Sequence, residues 1–202
     1  MHNVDEGMAD CMRKAIDPDA WLKKVTIPYE NGHFWRRARD LVRRDRFGEV
    51  AFAVERQDGR IITVTSTEYP EGIFRIPTGG ISHGEDVLDA VHREVKEELG
   101  LEVSIERFVG VLCFRFTHGG QSFPFYSFLF HLKEVRGKLL EDATDEEVSA
   151  VMEAGPADLD RIAGNLLHIR QEWRDWGRFR HATTHELACY LKSRAKHQWS
   201  AR

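Results

Sequence analysis

Three glutamates lie close together in the stretch GGISHGEDVLDAVHREVKEELGL, which runs from Gly79 to Leu101. If this stretch is helical, Glu94, Glu97 and Glu98 share one side, because residues three and four apart are neighbours on a helix. Carboxylates at this spacing repel one another by roughly a few tenths of a kcal/mol per pair. A hard divalent cation removes the repulsion, since Mg²⁺ or Mn²⁺ takes oxygen ligands and needs only one or two carboxylates besides water. The glutamates are therefore compatible with a Mg²⁺ or Mn²⁺ site, and, because acidic clusters are common on helices, also with a solvated face.

The same helix predicts a buried apolar face beside the glutamates. Its apolar residues recur with helical spacing at Leu88, Val91, Val95 and Leu99. The glutamates border this face, so they are expected to be partly removed from water, which makes an uncompensated charge unfavourable. Arg93 lies four residues before Glu97 and can hold that carboxylate in one rotamer. Gly79 and Gly80, before the helix, allow the backbone to approach a bound ligand closely.

The limits of the helix are predicted from its flanking residues. Ser82 and Glu85 have the spacing of a capping box, in which each side chain bonds a backbone amide of the other residue. The helix is therefore expected to begin at Ser82. Gly100 follows Leu99 and suits the left-handed conformation that ends many helices.

Strands are predicted on both sides of this helix. Asp58-Gly59 indicates a hairpin turn, and short β-rich runs before the helix lie at 49–55, 60–66 and 72–77. Longer strands with core-packed aromatic side chains are expected at 102–116 and 122–133. The acidic segment 142–152 is predicted to be a loop that enters a short helix, and further helices are expected at 157–164 and from residue 165 on. Elements in this order predict an α/β or α+β sandwich.

The composition of the 202-residue chain excludes several classes of protein. A net charge of −4 indicates no general nucleic-acid or membrane surface, and no apolar run approaches the length of a membrane span. The three cysteines are far apart, which argues against a disulfide framework or a four-cysteine zinc site and fits a reducing compartment. We therefore expect a soluble, cytoplasmic protein.

Two patterns near the C-terminus are interpreted as packing. His181, His185 and Cys189 are spaced by four residues, but three side chains in line along a helix do not easily converge on one zinc ion. Apolar residues also form a stripe at Leu166, Ile169, Trp173 and Trp176. This stripe is typical of one helix that packs on the domain or on a second copy of the chain.

The complete spacing of Gly79–Leu101 matches a known motif. Every fixed position of the Nudix box, G-x5-E-x7-R-E-U-x-E-E-x-G-U with U aliphatic, is occupied, by Gly79, Glu85, Arg93, Glu94, Val95, Glu97, Glu98, Gly100 and Leu101. The chain therefore resembles the Nudix hydrolase family. The resemblance implies a Nudix-type α/β/α sandwich with a mixed sheet at 47–160, flanked by an arginine-rich N-terminal extension at 1–46 and a C-terminal helical segment at 161–202.

The resemblance also implies roles for the box residues. Glu94 and Glu98 would bind one or more divalent cations, Mg²⁺ or Mn²⁺, and Glu97 would assist them. Arg93 would orient Glu97 for catalysis. In this family the reaction is metal-dependent hydrolysis of a diphosphate linkage in a nucleoside diphosphate joined to another group.

Three further residues of the motif receive roles from the resemblance. Gly79 and Gly80 would form the loop next to the metal and the substrate. Glu85 would be structural, in agreement with its place in the capping box.

The general base is left open by the resemblance. Family members use either a glutamate of the box, here Glu97, or a glutamate from a later loop, here Glu146 or Glu147. We favour Glu147, because its spacing from the following aliphatic residues resembles the family's segment at that place. The alternative is an acidic helix start in solvent, favoured by the helix dipole.

The sequence does not identify the substrate. The proline that marks ADP-ribose pyrophosphatases and the tyrosine that marks dinucleoside polyphosphate hydrolases are both absent after the box, where Thr117 and His118 stand. We expect a small nucleotide-type substrate and no membrane partner, with a capped RNA end as the one nucleic acid kept open. The C-terminal apolar stripe is compatible with a homodimer.

Two other functions are compatible with the same fold. A non-catalytic nucleotide-binding sensor or regulator would use the extension and the C-terminal helices as interaction parts. An isomerase acting on a prenyl diphosphate would need a cysteine and a glutamate facing the substrate, for which Cys113 is a weak candidate.

The segment Trp35–Gly48 contains six arginines together with Asp40 and Asp45. It is interpreted as a solvated helix with internal charge pairs. The alternative is an anion-binding arm over a substrate site.

Overall fold

The computed structural model describes residues 6–44, 46–144 and 147–200. Its helices are α1 (Glu6–Ile16), α2 (Gly32–Arg44), α3 (Val87–Leu99), α4 (Leu159–Leu167) and α5 (Arg174–Ser200), with a short 3₁₀ helix at Gln171–Trp173. Its strands are β1 (Trp21–Pro28), β2 (Arg46–Glu55), β3 (Ile61–Thr65), β4 (Thr78–Ser82), β5 (Leu101–His118), β6 (Gln121–Gly137) and β7 (Ala150–Ala154). None of the helices in the described ranges combines the length and the apolar character that a membrane span requires.

The strands of the described ranges form one mixed sheet between two layers of helices. Its order is β1-β5-β6-β2-β3-β7, and β4 pairs with β2. Pairing is parallel between β1 and β5 and between β2 and β6, and antiparallel elsewhere. Side chains of α1 and α3 pack in the core on one face of the sheet, and those of α2, α4 and α5 pack on the other. The predicted α/β/α sandwich is confirmed.

The centre of the sheet is the long hairpin of β5 and β6. Gly119 and Gly120 form its turn with φ of 53° and 77°, a conformation that glycine adopts without the steric penalty of a side chain. Aromatic residues of the two strands are buried, as predicted. Phe114, Phe116 and Phe125 each contact Phe179 of α5 at ring-centroid distances of 4.9, 5.2 and 5.6 Å. These contacts attach the C-terminal helix to the sheet.

The N-terminal extension contributes a strand to the sheet. Residues of β1 pair in register with β5 from Trp21 opposite Gly110 to Pro28 opposite Thr117. A Cβ atom at Gly110 would lie 2.4 Å from the indole of Trp21, so this crossing requires glycine. The predicted helix in the arginine-rich segment is α2, and it buries Trp35 against the sheet.

The strand and the glycine loop predicted before α3 were both placed wrongly. Residues 72–77 do not form a strand and join the sheet only through a bridge between Arg75 and Val64. The strand is the next segment, β4. Gly79 and Gly80 have no side chains, so this segment can pair with β2 while Glu94 and Arg46 pack closely against it.

The helix predicted within the acidic segment was also wrong. Residues Ala150–Ala154 form strand β7, which pairs with β3 along all five positions from Ile61 to Thr65. The open edge of β3 provides backbone partners to this short segment, and pairing at an edge overrides local helix preference.

A buried histidine of β6 connects α5 to the last residue of β2. His131 of β6 is fully buried, its Nε2 lies 2.7 Å from Glu55 Oε2, and its Nδ1 lies 2.8 Å from Nη1 of Arg194. Because an arginine only donates, Nδ1 accepts, and the ring proton on Nε2 is donated to Glu55. Burial is the largest influence on this ring and lowers the pKa of His131.

We predict that His131 makes stability depend on pH below about 6.5, the ordinary histidine value. The unfolded chain binds this proton as the pH falls and the folded chain resists it, so the free energy of unfolding decreases between that value and the lowered folded pKa. Urea unfolding from pH 7.5 to 5 should show a shallower decrease for His131→Gln than for the wild type. His168→Gln changes an exposed histidine and should keep the wild-type slope. Identical slopes for all three proteins would contradict the prediction.

Candidate functional site

The predicted glutamates lie on α3 at the edge of its sheet-facing side. Glu94 and Glu98 are buried, with 8% and 4% of their surface exposed, whereas Glu97 is half-buried. Val91 and Val95 of the same face are fully buried in the core. Two carboxylates are therefore held next to apolar packing, as the spacing of the sequence predicts.

The helix begins five residues later than predicted. Asp86 is the N-cap of α3, and its Oδ1 accepts from the backbone N–H of Leu88 at 2.8 Å. Ser82 ends β4, and its N–H donates to Glu85 Oε2 at 2.9 Å, so only one half of the expected capping box forms. Asp86 is the N-cap instead of Ser82 because a turn at residues 83–84 separates the end of β4 from the start of α3. The other end agrees with the prediction, since Gly100 caps the helix in the left-handed region with φ of 71°.

The glycines before α3, which were predicted as a loop, lie in a strand, and Gly79 is directly against Glu94. Gly79 and Gly80 belong to β4 and pair with Val50 and Glu49 of β2. A Cβ atom at Gly79 would lie 2.1 Å from Cγ and Cδ of Glu94, well inside contact distance. Glycine at this position therefore leaves the space that the Glu94 carboxylate occupies.

Arg93 connects the glutamates of the helix with the loop. Its Nη1 donates to Glu94 Oε1 at 2.8 Å and to Glu97 Oε2 at 2.9 Å. Its Nε and Nη2 donate to both oxygens of Glu85, at 2.7 and 2.9 Å, and Nη2 also donates to the Gly80 carbonyl at 2.9 Å. The bond to Arg93 lowers the pKa of Glu85, and that bond in turn raises the pKa of Arg93. One guanidinium thus fixes three carboxylates and the strand before the helix.

The surroundings of Glu94 suit a cation. Burial raises the pKa of Glu94 above its ordinary value, although the bond to Arg93 acts in the opposite direction. In the described ranges, no three histidine, cysteine, aspartate or glutamate side chains are gathered as a ready-made metal cluster. Mg²⁺ and Mn²⁺ are commonly held by one or two carboxylates and several waters, and the pair of buried carboxylates beside a glycine loop fits that requirement.

A second group of buried charges lies near the first and was missed by the sequence analysis. Arg75 is 6% exposed and donates to Thr78 Oγ1 at 3.1 Å and to the Tyr69 hydroxyl at 2.9 Å. Burial opposes the charge of Arg75, but Tyr69 and the carboxylates of Glu98 and Glu49 outweigh burial and raise its pKa. This guanidinium therefore lies between the acidic helix and Tyr69.

Glu49 of β2 completes this second group. It is 3% exposed, its Oε1 accepts from the Ser127 hydroxyl at 2.7 Å, and its Oε2 accepts from Arg180 of α5 at 2.7 Å. The residues come from four separate segments, so no local spacing could reveal them. The available sign was a charged residue beside an apolar run, Glu49 in EVAFAVE and Arg75 in GIFRIP.

The acidic loop that carries the predicted base is attached to the end of α3. The Thr144 N–H donates to the Glu97 carbonyl at 2.9 Å, and the Leu140 N–H donates to the Leu99 carbonyl at 2.9 Å. Glu147 is exposed and lies three residues before β7. Glu146, the other candidate in this loop, lies outside the described residues.

The two C-terminal patterns have structural explanations. His181 and His185 stack at 5.2 Å, and His181 Nδ1 lies 2.8 Å from the Ala163 carbonyl of α4. The predicted apolar stripe does not lie on one helix, because Leu166 belongs to α4, Trp173 to the 3₁₀ helix and Trp176 to α5.

The fold and the site together define a class of protein: an α/β/α sandwich in which a glycine-containing strand lies directly against an acidic helix. The family model described as NUDIX domain matches residues 45–176. The chain belongs to the Nudix hydrolase family.

Individual relatives match shorter parts of the chain. Nudix hydrolase 2 of Arabidopsis thaliana is 37% identical over 81 residues, which are 40% of this chain and 27% of that protein. Nudix hydrolase 6 of the same plant is 32% identical over 104 residues, 49% of this chain and 31% of that protein. The chain thus matches less than a third of the length of these curated relatives. The solved structure of a NUDIX hydrolase from Nitrosomonas europaea has a TM-score of 0.47 and 20% identity, over 67% of this chain and 90% of that chain.

We predict that Gly79→Ala destabilises the protein by about 1–3 kcal/mol, the usual effect of overpacking. The added methyl group would displace Glu94, which Arg93 and the core hold in place. Urea unfolding measures the change. Gly164→Ala is the control, because a Cβ atom there meets nothing within 4 Å and alanine favours the helix. If Gly79→Ala is as stable as the wild type, Glu94 can move away from the added methyl group at no cost in stability, which contradicts the prediction.

Proposed function

We propose that the chain hydrolyses a diphosphate linkage in a nucleoside diphosphate joined to another group, with Mg²⁺ or Mn²⁺ as cofactor. The observation that carries the proposal is the pair of buried carboxylates, Glu94 and Glu98, beside the glycine loop. Arg93 already offsets part of this charge through Glu94 Oε1, and two buried carboxylates side by side still offer the oxygen ligands that Mg²⁺ and Mn²⁺ prefer. Family membership supports the same reaction class, and the substrate and the metal are the new elements of the proposal.

In this proposal Glu94 and Glu98 hold the cation, and Glu97 assists from its more exposed position on the same side of α3. When bound, the cation supplies charge neutralisation of the diphosphate and a lower pKa for a coordinated water. Gly79 and Gly80 contribute backbone rather than side chains, so the Glu94 carboxylate and the Arg46 guanidinium pack directly on this strand, where the substrate phosphates are proposed to bind.

Arg93 acts as a positioning residue. Its donors are engaged by Glu85, Glu94, Glu97 and the Gly80 carbonyl, so it holds carboxylates in fixed rotamers. A lysine has no planar fork and could not serve these acceptors together. The arginine therefore maintains the arrangement of the loop and the helix before the substrate arrives.

Glu147 is proposed as the general base. The proposal is supported by the backbone bond from the Thr144 N–H to the Glu97 carbonyl, which holds the chain three residues before Glu147 at the C-terminal end of α3. A base at the end of such a loop can accept the proton of the attacking water without being a metal ligand.

We predict that Glu98→Gln lowers kcat at least about tenfold on any substrate that the enzyme accepts. A phosphate-release screen with Mg²⁺ and with Mn²⁺ should include nucleoside di- and triphosphates, nucleotide sugars, dinucleotides and capped RNA. Titration calorimetry with Mn²⁺ provides a readout without turnover, and the variant should bind Mn²⁺ more weakly. Glu102→Gln makes the same chemical change at an exposed carboxylate just after the helix and should leave both readouts unchanged.

The outcomes of this screen separate the two main functions. Full activity of Glu98→Gln would overturn the assignment of the metal ligand. Tight nucleotide binding by the wild type with no turnover of any compound would overturn the hydrolase and favour a nucleotide sensor.

We predict a different result for the proposed base. Glu147→Gln should lower kcat at least about tenfold while leaving the affinity for Mn²⁺ unchanged, because this residue is proposed to move a proton and not to bind metal. Glu97→Gln is the comparison. If Glu97→Gln loses kcat with intact Mn²⁺ binding and Glu147→Gln remains active, the base is Glu97.

A further inference from the structure

A cavity lies on the side of the second charge group, apart from the acidic helix. It has a volume of about 520 Å³, within the range of about 300–1,000 Å³ that is usual for small-molecule sites. Its walls are the loop after Tyr69 and the segment from α4 to the 3₁₀ helix. Four of the lining residues have exposed side chains, Glu71, Asn165, His168 and Arg170, and the others are Pro70, Ile73, Ile169 and Trp173.

Aromatic rings surround the Trp173 wall of this cavity. The Trp173 ring centroid lies 5.4 Å from Phe34, 5.3 Å from Trp176 and 6.0 Å from Tyr69, with interplanar angles of 60°, 87° and 70°. None of these three rings stacks parallel to Trp173, and the indole remains partly exposed in the cavity wall. These three rings thus fix the position of Trp173, and none of them stacks flat on a face of its indole.

The cavity is linked to the catalytic residues through two side chains. Tyr69 contacts Trp173, and its hydroxyl accepts from Nε and Nη2 of Arg75 at 3.1 and 2.9 Å. The other side of the Arg75 guanidinium donates to Thr78, the residue before Gly79. A ligand in the cavity is therefore separated from the glycine loop by one tyrosine and one arginine.

We propose that this cavity binds the planar base of the nucleotide substrate by stacking on Trp173. The inference rests on the proposed function and adds to it the place and the chemistry of the non-reacting end of the substrate. Base stacking on an aromatic ring suits every base, and the partly exposed indole offers such a surface.

Polar groups at the cavity fit the remainder of a nucleoside monophosphate. The Asn165 amide both donates and accepts, which matches the edge of a base or a ribose hydroxyl. Arg170 places a cation in the same wall for a phosphate. Helix α2, the arginine-rich segment, is next to this region through the contact of Phe34 with Trp173. The lining thus combines an aromatic ring, one cation and the Glu71 carboxylate, and the proposal assigns the base to Trp173 and the phosphate to Arg170.

Titration calorimetry with AMP, UMP and ribose 5-phosphate, without added metal, tests the proposal. The wild type should bind at least one of the two nucleotides more tightly than ribose 5-phosphate. Trp173→Ala should weaken nucleotide binding at least about fivefold, the lower end of base–aromatic stacking, and leave ribose 5-phosphate unchanged. Trp173→Phe should retain most of the affinity, because a phenyl ring still stacks.

Leu167→Ala is the control, since Leu167 is an exposed apolar residue of α4 outside the cavity wall. It should bind nucleotides as the wild type does, and circular dichroism should show all variants folded. The proposal is overturned if Trp173→Ala binds nucleotides like the wild type. It is also overturned if ribose 5-phosphate binding falls equally, or if the wild type does not prefer a nucleotide.

These results are independent of turnover, so the two proposals can fail separately. A Trp173-dependent nucleotide affinity with no hydrolysis in the screen would retain the cavity and reject the hydrolase. Hydrolysis that depends on Glu98, with nucleotide affinity unchanged in Trp173→Ala, would retain the hydrolase and reject the cavity.

Discussion

Two carboxylates are buried on the sheet-facing side of α3, and the surrounding residues must stabilise their charges. Glu94 and Glu98 lie beside fully buried valines, where a charge without compensation is strongly unfavourable. The protein supplies compensation through arginines held at fixed positions, with Arg93 on the helix and Arg75 on the opposite side. It supplies room through Gly79, where a side chain would collide with Glu94. The relative positions of β4 and α3 therefore depend on how these charges are paired.

The same principle operates on the other face of the sheet. Glu49 sits in a strand of apolar residues and is satisfied by a hydroxyl from β6 and a guanidinium from α5. Because Arg180 lies in the C-terminal helix, that helix does more than cover an apolar surface. It brings a cation to the strand that pairs with Gly79 and Gly80, so a partly buried ion pair connects α5 to the strand beside these glycines.

The sequence was informative where structure is decided locally. The spacing of Val91, Glu94, Val95 and Glu98 predicted the buried side of α3 and the placement of the acids, and Gly100 and Asp58-Gly59 predicted a helix end and a hairpin. It was uninformative where distant segments meet. The glycines of β4 do not resemble a strand, β7 needs the edge of β3, and the group around Arg75 draws on segments that are close only after folding. The exposure of an aromatic side chain such as Trp173 also depends on which other aromatic residues pack around it, here Phe34 and Trp176, and the sequence does not show this.

The parallel pairing of β1 with β5 has a consequence for how the chain is handled. Without β1, strand β5 would present a long row of unpaired backbone groups at the margin of the sheet, with apolar residues on both sides. Such a margin recruits strands from other molecules. A fragment trimmed to begin at the family-matched region would therefore lose solubility before it lost any residue of the site. With β1 in place, this strand forms the margin instead, and its exposed Lys23 and Lys24 oppose pairing with another molecule.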